Sequence, residues 1–181
     1  MEIVRPEIET YQNPWELEEL VRIFDYHRPA KVLEIGSWDG GTLWHWLHNS
    51  DTVLAIDVGM RRAEDWLNWA EELGTRLLLI QSYSQDHTTV KAASVCGPYD
   101  FLFIDADHTY ESVRADWDNY SPMVREGGLI ALHDILPRPG YGVSILWEQI
   151  KELPGTRWME ICQNEVMPGN EGRCGIGLVW V

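Results

Sequence analysis

Five side chains at the ends of two apolar runs have the types and spacing to do chemistry together. Asp105, Asp107 and His108 follow Tyr99 to Ile104, and His133 and Asp134 follow Leu129 to Leu132. Carboxylates hold divalent cations, and an imidazole takes up protons near neutral pH. If the two runs are neighbouring parallel strands, roughly 5 Å apart, then Asp105 and Asp134 converge on one cation. His108, three residues past Asp105, is then close enough to accept a proton from a substrate held at that cation. Asp107 stands where an acid more often starts the following helix as its cap. A histidine taken alone is more often structural, and only its company argues for His108.

A second set surrounds VLEIGSWDGGTLW, Val32 to Trp44. Here an apolar strand carrying Glu34 stops at a glycine-bearing turn and restarts as a helix. Such a turn leaves backbone N–H groups free at the helix N-terminus and lets a ligand approach the main chain, with Gly36, Gly40 and Gly41 giving access. The next apolar run, Thr52 to Ile56, ends at Asp57, whose carboxylate can accept from two ribose hydroxyls. A dinucleotide site wants glycine at the third position of the turn, where Trp38 stands, so a nicotinamide cofactor is disfavoured.

The elements needed to position these groups follow from periodicity. Asn13-Pro14 opens a helix with Leu17, Leu20, Val21 and Phe24 on one face, ending at Arg28-Pro29. Strands are expected at Lys31 to Ile35, Thr52 to Ile56, Arg76 to Ile80, Tyr99 to Ile104 and Leu129 to Leu132. Helices are expected at about Thr42 to His48, through Trp66, Trp69, Ala70 and Leu73 to a Gly74 cap, at about Thr88 to Cys96, from Tyr110 to Val124, and through Val143, Leu146, Trp147 and Ile150. Arg157 to Cys162 and Ile176 to Val181 have no helix between them and read as an antiparallel hairpin. The fold class is therefore α/β, a doubly wound and mostly parallel sheet with helices on both faces. Such sheets bind ligands at the C-terminal strand ends, where every polar cluster above falls.

Composition sets the outer limits. With 181 residues the chain fits one domain, residues 1–181. Lysine and arginine number 14 against 29 acidic residues, a formal charge of −15, which repels a nucleic-acid backbone. No signal peptide or membrane-spanning run is evident, which points to a cytoplasmic protein. The three cysteines, Cys96, Cys162 and Cys174, lack paired spacing and read as free thiols in or near the core. Most of the ten tryptophans read as packing, with Trp38 and Trp44 as the exceptions.

At these residues the sequence resembles the class I S-adenosylmethionine-dependent methyltransferases, and within them the small metal-dependent O-methyltransferases of antibiotic and sugar chemistry, with the catechol type more distant. EIGSWDGGT resembles the first cofactor motif, Asp57 the ribose-binding acid, and Ser84-Gln85-Asp86 the stretch that meets the adenine. FIDADHTY and GGLIALHDI resemble the ends of the fourth and fifth strands. The resemblance implies a seven-stranded Rossmann-like methyltransferase fold. It also implies S-adenosylmethionine held by Glu34, Gly36, Ser37, Trp38, Gly40, Asp57, Ser84, Gln85 and Asp105. A divalent metal, Mg²⁺ or Mn²⁺, falls to Asp105, His133 and Asp134, and the general base to His108.

His133 departs from the family, since many relatives have a carboxylate there. Either an imidazole joins the site, favouring Mn²⁺ or Fe²⁺, or metal binding is weakened or absent. The acceptor implied is a small hydroxylated molecule, a sugar or aromatic diol, bordered by Trp38, Tyr110, Leu136 to Gly142 and Asn164 to Arg173. With about thirty residues before the first strand there is little for an N-terminal lid, so the pocket is open or completed by a second subunit of a homo-oligomer. The competing reading is an adenosine-cofactor-binding module without metal-dependent catalysis.

Overall fold

The computed structural model describes residues 8, 10–163 and 174–181. The elements run α1 (Pro14–His27), β1 (Lys31–Ile35), α2 (Gly41–Asn49), β2 (Thr52–Asp57), α3 (Ala63–Leu73), β3 (Arg76–Gln81), α4 (His87–Cys96), β4 (Tyr99–Ile104), α5 (Tyr110–Tyr120), a 3-10 turn (Ser121–Met123), β5 (Val124–His133), α6 (Val143–Lys151), β6 (Arg157–Ile161) and β7 (Ile176–Trp180). Local chemistry sets the ends. The Asn13 side chain accepts from the Trp15 and Glu16 N–H groups to start α1, and Gly74 closes α3 in the left-handed conformation.

The strands form one sheet in the order β3-β2-β1-β4-β5-β7-β6. The first five are parallel, and β7 is antiparallel to both β5 and β6. The expected mostly parallel sheet with a terminal antiparallel hairpin is therefore what forms. Alternate residues of each central strand feed two apolar layers. Val32, Val53, Phe101 and Leu129 face Phe24, Trp46 and Trp66, while Leu33, Leu54, Leu102 and Ile130 face Ala93, Val113, Tyr120 and Trp147. Burial on both faces explains why these strands read as continuous apolar runs. Among the described residues no helix is long and apolar enough to cross a membrane.

Two expectations change. β5 starts at Val124, well before Leu129, because Gly127-Gly128 lies inside a bulged strand and does not end an element. A Cβ on Gly128 would come within 2.5 Å of a Val124 methyl and 3.0 Å of the Asp100 carbonyl oxygen, so glycine is there for close approach. Trp44 belongs to the core. It is buried and packs edge-on against Trp69 with ring centroids 5.5 Å apart.

Candidate active site

The strand order reverses direction between β1 and β4, and there the two strand ends touch. Gly36 makes this possible. Its φ is +87°, and a Cβ on it would sit 2.1 Å from the Asp105 carbonyl oxygen. The Asp105 N–H donates to Ile35 O at 2.8 Å, and the Gly36 N–H to Ile56 O at 2.9 Å, so the turn is tied to both neighbouring strands. Gly40, also at positive φ, packs its bare Cα against the Trp66 indole and caps α2.

Glu34 braces this turn from beneath. It is fully buried, and its carboxylate accepts from the Ser37 hydroxyl at 2.6 Å, the Thr42 hydroxyl at 2.5 Å and the Trp46 indole N–H at 2.7 Å. Burial pushes its pKa up to about 7, even though these three donors pull the other way. Above the turn, Asp57 accepts from the Ser37 and Trp38 N–H groups at 2.8 and 3.0 Å through one oxygen and from Gly59 N–H at 2.7 Å through the other. A carboxylate has about four acceptor sites, so capacity remains for a hydroxyl. Trp38 is exposed, at φ +49°, with Tyr11 edge-on at 5.5 Å and the Arg61 guanidinium 5.3 Å from its ring. Beyond β3, the Ser84 carbonyl accepts from the Tyr120 hydroxyl, and the Gln85 amide donates to Asp116 at 2.9 Å.

The charged cluster lies at the ends of β4 and β5. His108 Nε2 is 2.9 Å from Asp134 Oδ2 and 3.5 Å from Asp105 Oδ1. His133 Nδ1 is 3.1 Å from the same Asp105 oxygen and 3.6 Å from Asp134 Oδ2. The sequence brings these four together as expected. Asp107 is elsewhere: it accepts from the Thr109 N–H at 2.7 Å, and Thr109 is the α5 cap. Burial works against a charged Asp105, but the imidazoles of His133 and His108 outweigh it and hold the carboxyl well below its ordinary range. Burial likewise opposes charge on His108, yet its hydrogen bonds to Asp105 and Asp134 push its pKa up to about 9. His133 is raised in the same way, chiefly by Asp105 once burial is overcome.

One contact of the site was not legible beforehand. The Gln12 amide donates to Asp105 Oδ2 at 2.5 Å, so the segment before α1 reaches the cluster that it was expected to leave open. From the Leu136 to Gly142 loop, which was expected to border the acceptor, Tyr141 stacks on His108 with centroids 4.4 Å apart, and the Arg138 guanidinium lies 4.4 Å from the Tyr141 ring. The loop Asn164 to Arg173, expected to border the acceptor, lies outside the described residues.

The family model described as "Methyltransferase domain" matches residues 33–135, from β1 through the Asp134 cluster. The chain belongs to the methyltransferase domain family. A curated relative, the demethylmacrocin O-methyltransferase of Streptomyces fradiae, is 28% identical over 124 residues, 62% of this chain and 30% of that protein. The chain thus spans less than a third of that relative's length. Among solved structures, the O-methyltransferase from Bacillus cereus in complex with SAH has a TM-score of 0.74 at 17% identity, covering 97% of this chain and 84% of that one. The MycE methyltransferase from the mycinamycin biosynthetic pathway, in complex with Mg and SAH, has a TM-score of 0.63 at 22% identity, covering 95% and 50%. In this methyltransferase-domain chain, the family match and the tightest geometry therefore coincide at the β1, β4 and β5 ends.

Proposed function

We propose that the chain transfers the methyl group of S-adenosylmethionine to a hydroxyl of a small acceptor, a sugar or aromatic diol, with the help of a divalent metal. The single observation that carries this reading is the convergence of Asp105, His108, His133 and Asp134 beside the Gly36 turn. The Bacillus cereus structure, in complex with SAH, and the mycinamycin-pathway structure, in complex with Mg and SAH, support the cofactor and metal parts.

The residues fit a cation. Asp105, His108 and Asp134 each offer a ligand atom within 4.8 Å of the others. Asp134 Oδ1 is buried with no hydrogen-bond partner among the described residues, and an ion would satisfy it. We assign the ion to Asp105, Asp134 and His133, whose Nδ1 lies 3.1 and 3.6 Å from the two carboxylates, so that His108 Nε2 is left for the proton; an imidazole in that set suits Mn²⁺ or Fe²⁺ better than Mg²⁺. When bound, the cofactor supplies an electrophilic methyl group, and the metal lowers the pKa of the acceptor hydroxyl.

The chain does the rest. Gly36 and Gly40 give the cofactor close access to the main chain, Ser37 and Trp38 present the turn, and Asp57 accepts from the ribose. Ser84 and Gln85 line the adenine side. His108 Nε2 takes the acceptor proton once the charge of Asp105 and Asp134 is offset, because those carboxylates are what keep it protonated. Tyr141 fixes the imidazole plane by stacking. The formal charge of −15 favours a small acceptor over nucleic acid.

One observation favours a second reading, an adenosine-cofactor module without metal-dependent catalysis: His133 already neutralises Asp105 at 3.1 Å. Transfer of labelled methyl from S-adenosylmethionine to a panel of sugar and catechol diols, with Mn²⁺, Fe²⁺, Mg²⁺ or chelator, separates the two. Metal-dependent labelling supports the first reading. No labelling, with no metal raising the melting temperature, supports the second.

A further inference from the structure

α5 carries two polar residues one turn apart, Asp116 and Tyr120, on the face that packs under the loop after β3. The Tyr120 hydroxyl donates to the Ser84 carbonyl at 2.5 Å, and the Gln85 Nε2 donates to Asp116 Oδ1 at 2.9 Å. Both α5 residues are fully buried, and Asp116 Oδ2 has no hydrogen-bond partner among the described residues. A buried carboxylate with an oxygen left over costs folding free energy, so packing alone does not account for it.

Its effect on Gln85 is directional. An ionised carboxylate only accepts, so Gln85 must turn its NH₂ end toward Asp116 and present its carbonyl oxygen, Oε1, on the other side. Burial pushes the Asp116 carboxyl up to about 6, with the polar groups of Ser84 and Gln85 restraining it, so it is largely ionised at neutral pH. Oε1 has no partner among the described residues. Gln85 belongs to the loop that follows β3, and that loop is tied to the β2 end where the Ser82 N–H donates to the Asp57 carbonyl at 3.1 Å. An acceptor there pairs with a base that carries a donor on its edge and opposes one that carries another acceptor.

We propose that Asp116 is a positioning residue that fixes the Gln85 amide, and through it makes the site select a 6-amino purine over a 6-oxo purine. The proposal rests on the adenosine-cofactor reading above. It assigns base selectivity to a side chain on α5 that does not itself reach the cofactor.

The test is calorimetric titration of the full chain with S-adenosylhomocysteine and S-inosylhomocysteine, which differ in amino against oxo at that edge. Wild type is expected to prefer the adenine compound by roughly tenfold or more, the discrimination that one unpaired buried polar group gives. Asp116→Asn, nearly isosteric, can donate to Oε1 and lets the amide turn over, so the preference should fall to within about threefold. Gln85→Leu, which leaves Asp116 in place, should abolish the preference as well and decides the matter if Asp116→Asn fails to fold. An unchanged ratio in either folded variant overturns the proposal, even where both affinities drop. Equal binding of the two compounds by wild type also overturns it and leaves the cofactor reading standing. No binding of either compound removes the cofactor reading itself, and the proposal with it.

Discussion

Replacing Glu34 by glutamine tests whether the glycine turn rests on a buried acid whose ionisation works against the fold. Glutamine keeps the size, still accepts from Thr42 and Trp46, and can donate to the Ser37 hydroxyl, so the contacts at 2.6, 2.5 and 2.7 Å survive in kind. The titration does not survive. The carboxyl has an ordinary pKa of 4.5 and rises to about 7 in the folded chain, mainly through burial. The folded state therefore binds the proton more tightly than the unfolded one. The stability this contributes is fully present below 4.5 and is lost as pH rises to about 7. At about 1.4 kcal/mol per pH unit, that interval amounts to about 3 kcal/mol. Urea unfolding of wild type and Glu34→Gln across this range isolates it, because other groups titrate alike in both proteins and cancel in the difference. Wild type should lose about 3 kcal/mol relative to the variant between pH 4.5 and 7, then level off. A difference that stays constant within about 0.5 kcal/mol would show that the three donors hold Glu34 ionised throughout and would refute the reasoning. Glu34→Ala, which strands all three buried donors at about 1–3 kcal/mol each, should be destabilised by at least about 3 kcal/mol at any pH.

Gly36→Ala should cost about 3 kcal/mol or more and weaken cofactor binding, because a Cβ 2.1 Å from the Asp105 carbonyl oxygen forces β1 and β4 apart; wild-type melting behaviour in that variant would contradict the contact. His108→Ala should lower methyl transfer roughly 10²–10⁴-fold while S-adenosylhomocysteine affinity is unchanged, and turnover at the wild-type rate would remove His108 from the chemistry. Chelation should abolish transfer, and Mn²⁺ should restore it better than Mg²⁺ if His133 joins the site; equal rescue by both ions would argue against an imidazole ligand.

Much of the site was legible because a parallel sheet delivers strand ends to one edge. Asp57, Asp105, His133 and Asp134 each follow a clear apolar run, so finding the runs found the residues. What stayed hidden depends on contacts that no local pattern carries. Gln12 reaches Asp105 across 93 positions, and Gln85 reaches Asp116 across 31. Asp116 and Tyr120 show the helical spacing, but a buried acid on an otherwise charged helix reads as surface until the loop above it is placed. Trp44 misled for a related reason: α2 is buried on nearly every side, so periodicity did not distinguish core from cleft. Gly127-Gly128 looks like a stop in sequence and is a bulge in the sheet, a distinction set by the neighbouring strand.

The central claim is that the β1, β2 and β3 ends together bind the adenosine and methionine parts of S-adenosylmethionine. Calorimetric titration with S-adenosylhomocysteine, wild type beside Asp57→Ala, tests it most directly. Wild type is expected to bind at one site per chain, with affinity weakened about tenfold or more in the variant by loss of the ribose acceptor. Absence of binding by wild type at millimolar ligand, or equal affinity in the two proteins, would contradict it.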